Sequence, residues 1–395
     1  MRSRSIWLVV ALSMVVAACS PAAVDTTTTA QPAATTTAGP AESTTTGAEP
    51  MVCEATVAFI GPITGPVAFI GEVQLNWFNY ALDLWNDEMG YDFQMVEADT
   101  QFDVAQSATL AQTLLDNANV LAAVGPAGSD QVDSAGAVFE AGDPNFTFIS
   151  PSSTRVGITA LYQGLFRTVP SDADQGPTTA SFLVEQGATS VFIVDDQSSY
   201  STGLADIVQA ELEGANVTVV RESVAQTVTD FSALVGTIAD DTSIVYLPWQ
   251  VAANGQIFAN QMAEQSKEAV IFGSDGLDSA DFTQAGSYVA AFAPDIAAVE
   301  GSEDLLAGFL ELYPETNTFG PPVFAAARVI FEAIERVCAA GETPDRANVQ
   351  AEVAATNQAT SILGTPISFT EDGDLAGGQF FIFQIQEDGT KTLVP

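Results

Sequence analysis

The sequence predicts an α/β protein built from two doubly wound parallel-sheet lobes. Three observations lead there. From residue 54 onward, short β-rich runs alternate with helical patterns. The rhythm breaks at "FRTVPSDADQGP" and then restarts. The β-rich runs are apolar throughout rather than alternating, as strands covered by helices on both faces require.

In the first half, "TVAFI" (56–60) reads as a strand and 73–89 as a helix. "FQMVEA" (93–98) precedes a helical 105–117, "VLAAV" (120–124) precedes a helical 130–141, and "FTFIS" (146–150) closes the set. In the second half, "SVFIVD" (190–195) leads to a helix over 201–213 and "VTVVRE" (217–222) to one over 231–239. "SIVYLP" (243–248) leads to a helix over 254–265, and "AVIFG" (269–273) follows. Long helical patterns return at 303–313 and 322–340. Two β-rich runs, "PISF" (366–369) and "GQFFIFQIQ" (378–386), come last.

The 395 residues include 50 acidic and only 10 basic side chains, a formal charge of −40. Such a surface repels phosphate backbones, so nucleic acid is not an expected partner. There is no histidine. That removes Ser-His and Cys-His nucleophile pairs and the common zinc sites, and no cofactor or metal is expected. An enzyme working through Asp and Glu pairs is a rival without a visible signature.

At the start, Arg2 and Arg4 precede the apolar stretch Ile6 to Ala18. This stretch is shorter than the roughly 20 residues a membrane span needs, and it reads as an export signal over 1–18. It ends in Val16-Ala17-Ala18-Cys19, which resembles the lipobox of bacterial lipoproteins and implies lipid on Cys19. An ordinary secretory signal cut nearby is the alternative. The Thr-rich segment that follows has ten threonines between residues 20 and 51 and no aromatic residue. It reads as a disordered tether over 19–51 that holds the folded part off a membrane. Cys53 and Cys338 then remain as a pair, and an even count in an exported protein suggests a disulfide. Two free thiols are the other possibility.

In open α/β sheets ligands bind beyond the carboxyl ends of the strands. In the first half those ends carry "GPITGP" (61–66), "GPAGSD" (125–130) and "SPSST" (150–154). In the second they carry "DDQSSY" (195–200), "LPWQ" (247–250) and "GSDG" (273–276). Hydroxyls and free N–H groups at helix starts suit an anion, and a carboxylate facing them suits a cation. The candidates are Ser129, Ser152 and Thr154 on one side and Tyr200, Trp249, Gln250 and Asp275 on the other. Each also has a plain structural role open to it: a helix cap for Ser129, a turn for Thr154 and Asp275, packing for Tyr200.

Seven stretches, "IGPITGPVAFIG", "VGPAGS", "ISPSST", "FRTVPSDADQGP", "YSTGLAD", "TDFSALV" and "FGSDGL", occur in this order. The chain from 54 onward thereby resembles the branched-chain amino acid binding proteins of ABC transporters. The resemblance implies a type I periplasmic binding protein fold, with a three-crossing hinge and a ligand enclosed between the lobes. The crossings would lie near Thr168–Asp172, Ala293–Asp295 and Thr365–Ser368. The lobes would be 52–168 with 295–365, and 169–294 with 366–395. Ser129, Ser152 and Thr154 would hold the ligand carboxylate and part of its ammonium, Asp275 would pair with the ammonium, and Tyr200 would line the cleft. The same resemblance puts Cys338 in the lobe that Cys53 enters.

Two places depart from the family pattern. Pro248-Trp249-Gln250 stands where glycines and tyrosines are usual, and Ile70, beside Phe69, stands where an aromatic is usual. Both places would shape the side-chain pocket. The expectation is a monomeric, extracytoplasmic, lipid-anchored receptor that delivers an amino acid, branched-chain or similarly aliphatic, to ABC permease subunits. A ligand-sensing receptor of the same fold, reading an amide or other small polar solute, is the alternative.

Overall fold

The computed structural model describes residues 53–394; the expected export signal, Cys19 and the tether lie outside the described residues. The first sheet is built from β1 (Thr56–Gly61), α1 (Ala68–Met89), β2 (Gln94–Asp99), α2 (Val104–Asp116), β3 (Val120–Val124), α3 (Ser129–Gly142), β4 (Thr147–Ser150) and β5 (Leu165–Arg167). Its strand order is β2-β1-β3-β4-β5, and every pairing is parallel. The chain then enters α4 (Asp172–Glu185), β6 (Ser190–Asp195), α5 (Ser199–Gly214), β7 (Thr218–Ser223), α6 (Ser232–Val235), β8 (Ile244–Leu247), α7 (Ala252–Glu264), β9 (Val270–Gly273) and β10 (Tyr288–Ala291). It continues through α8 (Glu303–Leu312), α9 (Gly320–Ala339), α10 (Arg346–Ala354), β11 (Asn357–Gln358), β12 (Ile367–Ser368), β13 (Phe381–Ile385) and β14 (Lys391–Leu393). The second sheet runs β14-β13-β10-β9-β8-β6-β7.

Two parallel-sheet lobes are therefore present, with one departure. β13 pairs antiparallel with β10 and β14 antiparallel with β13, so one edge of the second sheet is mixed. A tight β13–β14 turn needs no crossover helix, which is why this edge can be added at the end of the chain. The edge strands β2 and β7 also depart from the all-apolar expectation. Each has neighbours on one side only, and several of their side chains are exposed, including Val220.

Several elements escaped the sequence reading. β5 and β14 have three residues each, too short to show a period. α4 holds Pro177 and starts in "DADQGP", which reads as a break. Ser171 nonetheless caps it, accepting from the Ala173 N–H.

Helices cover both faces of each sheet. On one face of the first, α1 and α9 enclose an aromatic core in which Trp77 stacks on Phe309 with centroids 3.9 Å apart and Phe78 meets Phe59 and Phe331. On the other face, α2 and α3 bury Val132, Ala135 and Phe139 against β3 and β4. Ile367, Phe369 and Leu375 pack into the first lobe's core, whereas Phe380 packs into the second's. Up to Leu375 the apolar side chains of this segment find their burial with the first lobe, and from Phe380 with the second. Cys53, ahead of β1, and Cys338, near the end of α9, have Cα atoms 5.8 Å apart and sulfurs 2.11 Å apart.

Candidate functional site

The strand ends of both sheets meet in one buried polar cluster. On the first lobe, Gly125 follows β3 with φ +107°, and a Cβ there would sit 1.8 Å from the Ile60 carbonyl oxygen. Only glycine allows that approach, and it sets the path into α3. Ser129 stands at the first residue of α3, with its Oγ 2.9 Å from Ser153 Oγ. Ser152 donates to the Ala127 carbonyl at 3.1 Å and accepts from Gln74 Nε2 at 3.0 Å. Thr154 is fully buried; its hydroxyl faces the Asp172 carboxylate and has no hydrogen bond of standard geometry.

On the second lobe, Asp275 follows β9. Its Oδ1 accepts from Tyr200 Oη and from Gln175 Nε2, each at 2.5 Å. The same Gln175 amide donates to Asp172 Oδ1 at 3.1 Å. The next residue must be small, since a Cβ on Gly276 would lie 2.2 Å from the Trp249 carbonyl oxygen. Among the described residues, neither Asp172 nor Asp275 has a Lys or Arg within salt-bridge distance.

Two buried carboxylates with no cation in salt-bridge contact shift each other's ionisation. Burial pushes Asp172 well above the usual carboxylate range, and the charge of Asp275 adds to the effect. Burial likewise pushes Asp275 up to about 6, against the pull of the Tyr200 and Gln175 hydrogen bonds. Burial and the same two carboxylates hold the Tyr200 and Tyr246 phenols well above their ordinary value. Chemically, the cluster has no cation paired with its carboxylates on one side and offers hydroxyls and a helix start on the other.

The remaining candidates divide. Phe69 and Ile70 begin α1 on the first lobe but pack into the hydrophobic clusters of the second, and the Phe69 ring meets Phe319 edge-on at 6.2 Å. Asp130 of α3 accepts from the Ser199 N–H at the start of α5, at 3.3 Å. The lobes are in contact on both counts. Gln250 is half-buried and accepts from Gln226 Nε2 at 3.3 Å. Trp249 departs from expectation. Its indole lies in the core between Phe231 and Phe258, and its N–H donates to the Val194 carbonyl at 2.6 Å. A large apolar ring with its one donor satisfied is most stable there, so the side chain is not presented to the cluster.

Asp172, Gln175 and Tyr246 belong to the cluster but were not among the sequence candidates. Asp172 opens α4, where an acid is ordinarily read as a helix-dipole partner. Its repetition of short polar residues, "SDADQ", was the available signal.

Residues 54–390 match the family described as Periplasmic binding protein. A Leu/Ile/Val-binding protein of Escherichia coli K12 is 26% identical over 354 residues, covering 85% of this chain and 92% of the relative. A leucine-binding protein from Thermotoga maritima superposes with a TM-score of 0.78 at 19% identity, over 86% of this chain and 98% of the other. A branched-chain amino acid transporter substrate-binding protein from Streptococcus pneumoniae, in complex with isoleucine, gives 0.77 at 20% identity, over 86% and 99%. A family match that spans nearly all the described residues, on two lobes of this construction, makes the chain a member of the periplasmic binding protein family, whose proteins bind solutes without transforming them.

Proposed function

We propose that this protein is an extracytoplasmic receptor that encloses an amino acid with an aliphatic side chain between its lobes and delivers it to an ABC permease. The observation that carries the reading is the pair Asp172 and Asp275, buried with no Lys or Arg in salt-bridge contact, with Asp172 facing the Thr154 hydroxyl. An ammonium supplies the missing positive charge, and a carboxylate suits the hydroxyls and the α3 start. Tyr200 orients Asp275. Ile70 and Phe69 supply apolar contact for a side chain, and Gln250 a polar edge. The names of the relatives, which include a Leu/Ile/Val-binding protein and a complex with isoleucine, support this ligand class. Closure strengthens the charged contacts by removing water, and the permease releases the ligand by favouring the open form.

Lipid on Cys19 anchors the receptor to the membrane, with 19–51 as a tether, and a disulfide joins Cys53 to Cys338. The lobes comprise 53–168 with 295–375, and 169–294 with the remainder. A thermal-shift screen against the twenty L-amino acids, small amides and polyamines tests the ligand class. Stabilisation by aliphatic amino acids supports it; stabilisation by amides or polyamines alone overturns it.

A further inference from the structure

Arg167 ends β5 and is buried directly beneath the "SPSST" turn. Its Nη1 donates to the carbonyls of Ser153, at 3.3 Å, and Arg155, at 3.0 Å. The Thr154 carbonyl between them accepts from the Asp172 N–H at 2.8 Å. Three consecutive carbonyls are therefore held, two by one guanidinium and one by the start of α4. Nη2 is ion-paired with Asp374 at 2.7 Å, and Asp374 also accepts from Thr159 Oγ1 at 2.6 Å. The contact continues in the backbone, where the Arg167 N–H donates to the Gly373 carbonyl at 3.2 Å. Gly373 has φ +87°, and a Cβ on it would lie 2.3 Å from the Leu165 carbonyl oxygen, so this turn rests directly on β5.

We infer that Arg167 is the positioning residue of the head-group site: it holds the Ser152–Arg155 turn by its carbonyls and, through Asp374, ties that turn to the segment leading into the third crossing. The inference rests on the proposed amino-acid reading for what the turn binds, but not for how the turn is held. A planar fork can reach two carbonyls and a carboxylate at once, and a lysine ammonium reaches fewer in fixed geometry. The same guanidinium also bears on the charge of the site. Around Asp172 stand Arg167 of β5, Asp275 beyond β9, Tyr200 of α5, Tyr246 of β8, the Thr154 hydroxyl, and Gln175 as the amide donor. Arg167 is itself surrounded by Asp374, Asp172 and Asp174. It is the cation that opposes the upward push on Asp172, so its loss makes that carboxyl easier to protonate.

The test uses the mature chain and the variants Arg167→Lys, Arg167→Met and Asp374→Asn. Hydrogen exchange of ligand-free protein should be at least tenfold faster across 150–158 in Arg167→Lys and Asp374→Asn, with β1 and α9 unchanged. Titration with whichever of the twenty L-amino acids gives the largest thermal shift should weaken at least tenfold. The pH at which affinity is lost on acidification should move upward in Arg167→Met relative to Arg167→Lys, which a role in packing alone would not produce. Unchanged exchange in the turn, or equal acid midpoints for the Met and Lys variants, overturns the inference. If the Arg167 variants fail to fold, the exchange of Asp374→Asn decides. If no amino acid stabilises wild type, the proposed function falls, while the exchange measurement still decides whether Arg167 holds the turn.

Discussion

Asp172 and Asp275 share one donor: the Gln175 amide lies 3.1 Å from Oδ1 of the first and 2.5 Å from Oδ1 of the second. The two carboxylates arrive from different parts of the second lobe, one opening α4 and the other following β9. Held together away from water, they disfavour each other's charge. Whatever neutralises them controls both ligand affinity and the response to pH.

Replacing Asp275 by Asn keeps the size and removes the charge. Losing one partner of a buried charged pair costs about 2–5 kcal/mol of binding. Ser129→Ala removes one hydrogen bond to a charged group, about 1.5–3 kcal/mol. Calorimetry with the ligand found by the screen should rank Asp275→Asn as the weaker binder. Equal binding by Asp275→Asn and wild type would make Asp275 a turn residue only.

The pH response follows from the same carboxyl. Its folded value, about 6, lies above the ordinary value of 3.8, so the folded state holds a proton that the unfolded chain has released. The stability this contributes is present below about pH 4 and is lost as pH rises through 6, amounting to about 3 kcal/mol. Thermal melts of ligand-free protein should show that loss, and Asp275→Asn should flatten it. A bound ammonium competes with the proton, so affinity should fall as pH drops below 6. A wild-type profile that parallels Asp275→Asn at every pH would remove Asp275 as the source.

Trp249 separates folding from binding. Its ring fills the core between Phe231 and Phe258, so Trp249→Ala should lower stability by about 3–5 kcal/mol. Trp249→Phe should fold and keep ligand ranking unchanged in a competition assay. A changed ranking would return the residue to the pocket.

The proposed disulfide is expected to matter mainly through the unfolded chain. A bridge between Cys53 and Cys338 spans 285 residues and is worth roughly 5 kcal/mol at most by loop-entropy reasoning. Reductant should therefore lower the melting temperature of wild type and leave Cys338→Ser unaffected. Intact-mass detection of two alkylatable thiols without reduction would eliminate the bridge.

The proposed anchor on Cys19 is testable without the fold. Cys19→Ala should leave the protein unprocessed or release it from membranes in a fractionation assay. Undiminished membrane partition would rule out lipid at that position.

Much of this protein was determined by local sequence. The β-α alternation, the uniformly apolar central strands and the Gly-, Ser- and Thr-rich strand ends follow from short-range propensity and from burial on two faces, and they were legible in order. Strand ends of parallel sheets gather at one edge, which is why Ser129, Thr154, Tyr200 and Asp275 could be proposed as neighbours from the sequence. What the residues could not reveal was which groups face each other. Asp172 reads as a helix-start acid until α4 brings it to the same amide as Asp275, and Arg167 reads as a strand-end cation until the turn at 370–374 packs onto β5. Trp249 reads as a cleft aromatic until its indole finds the Val194 carbonyl. Ile367 and Leu375 behave likewise, since they are buried in a core whose strands lie far earlier in the chain. Propensity acts over a few residues, whereas the pairing of buried charges and the destination of an apolar side chain depend on contacts between distant segments, which only the packed tertiary structure decides.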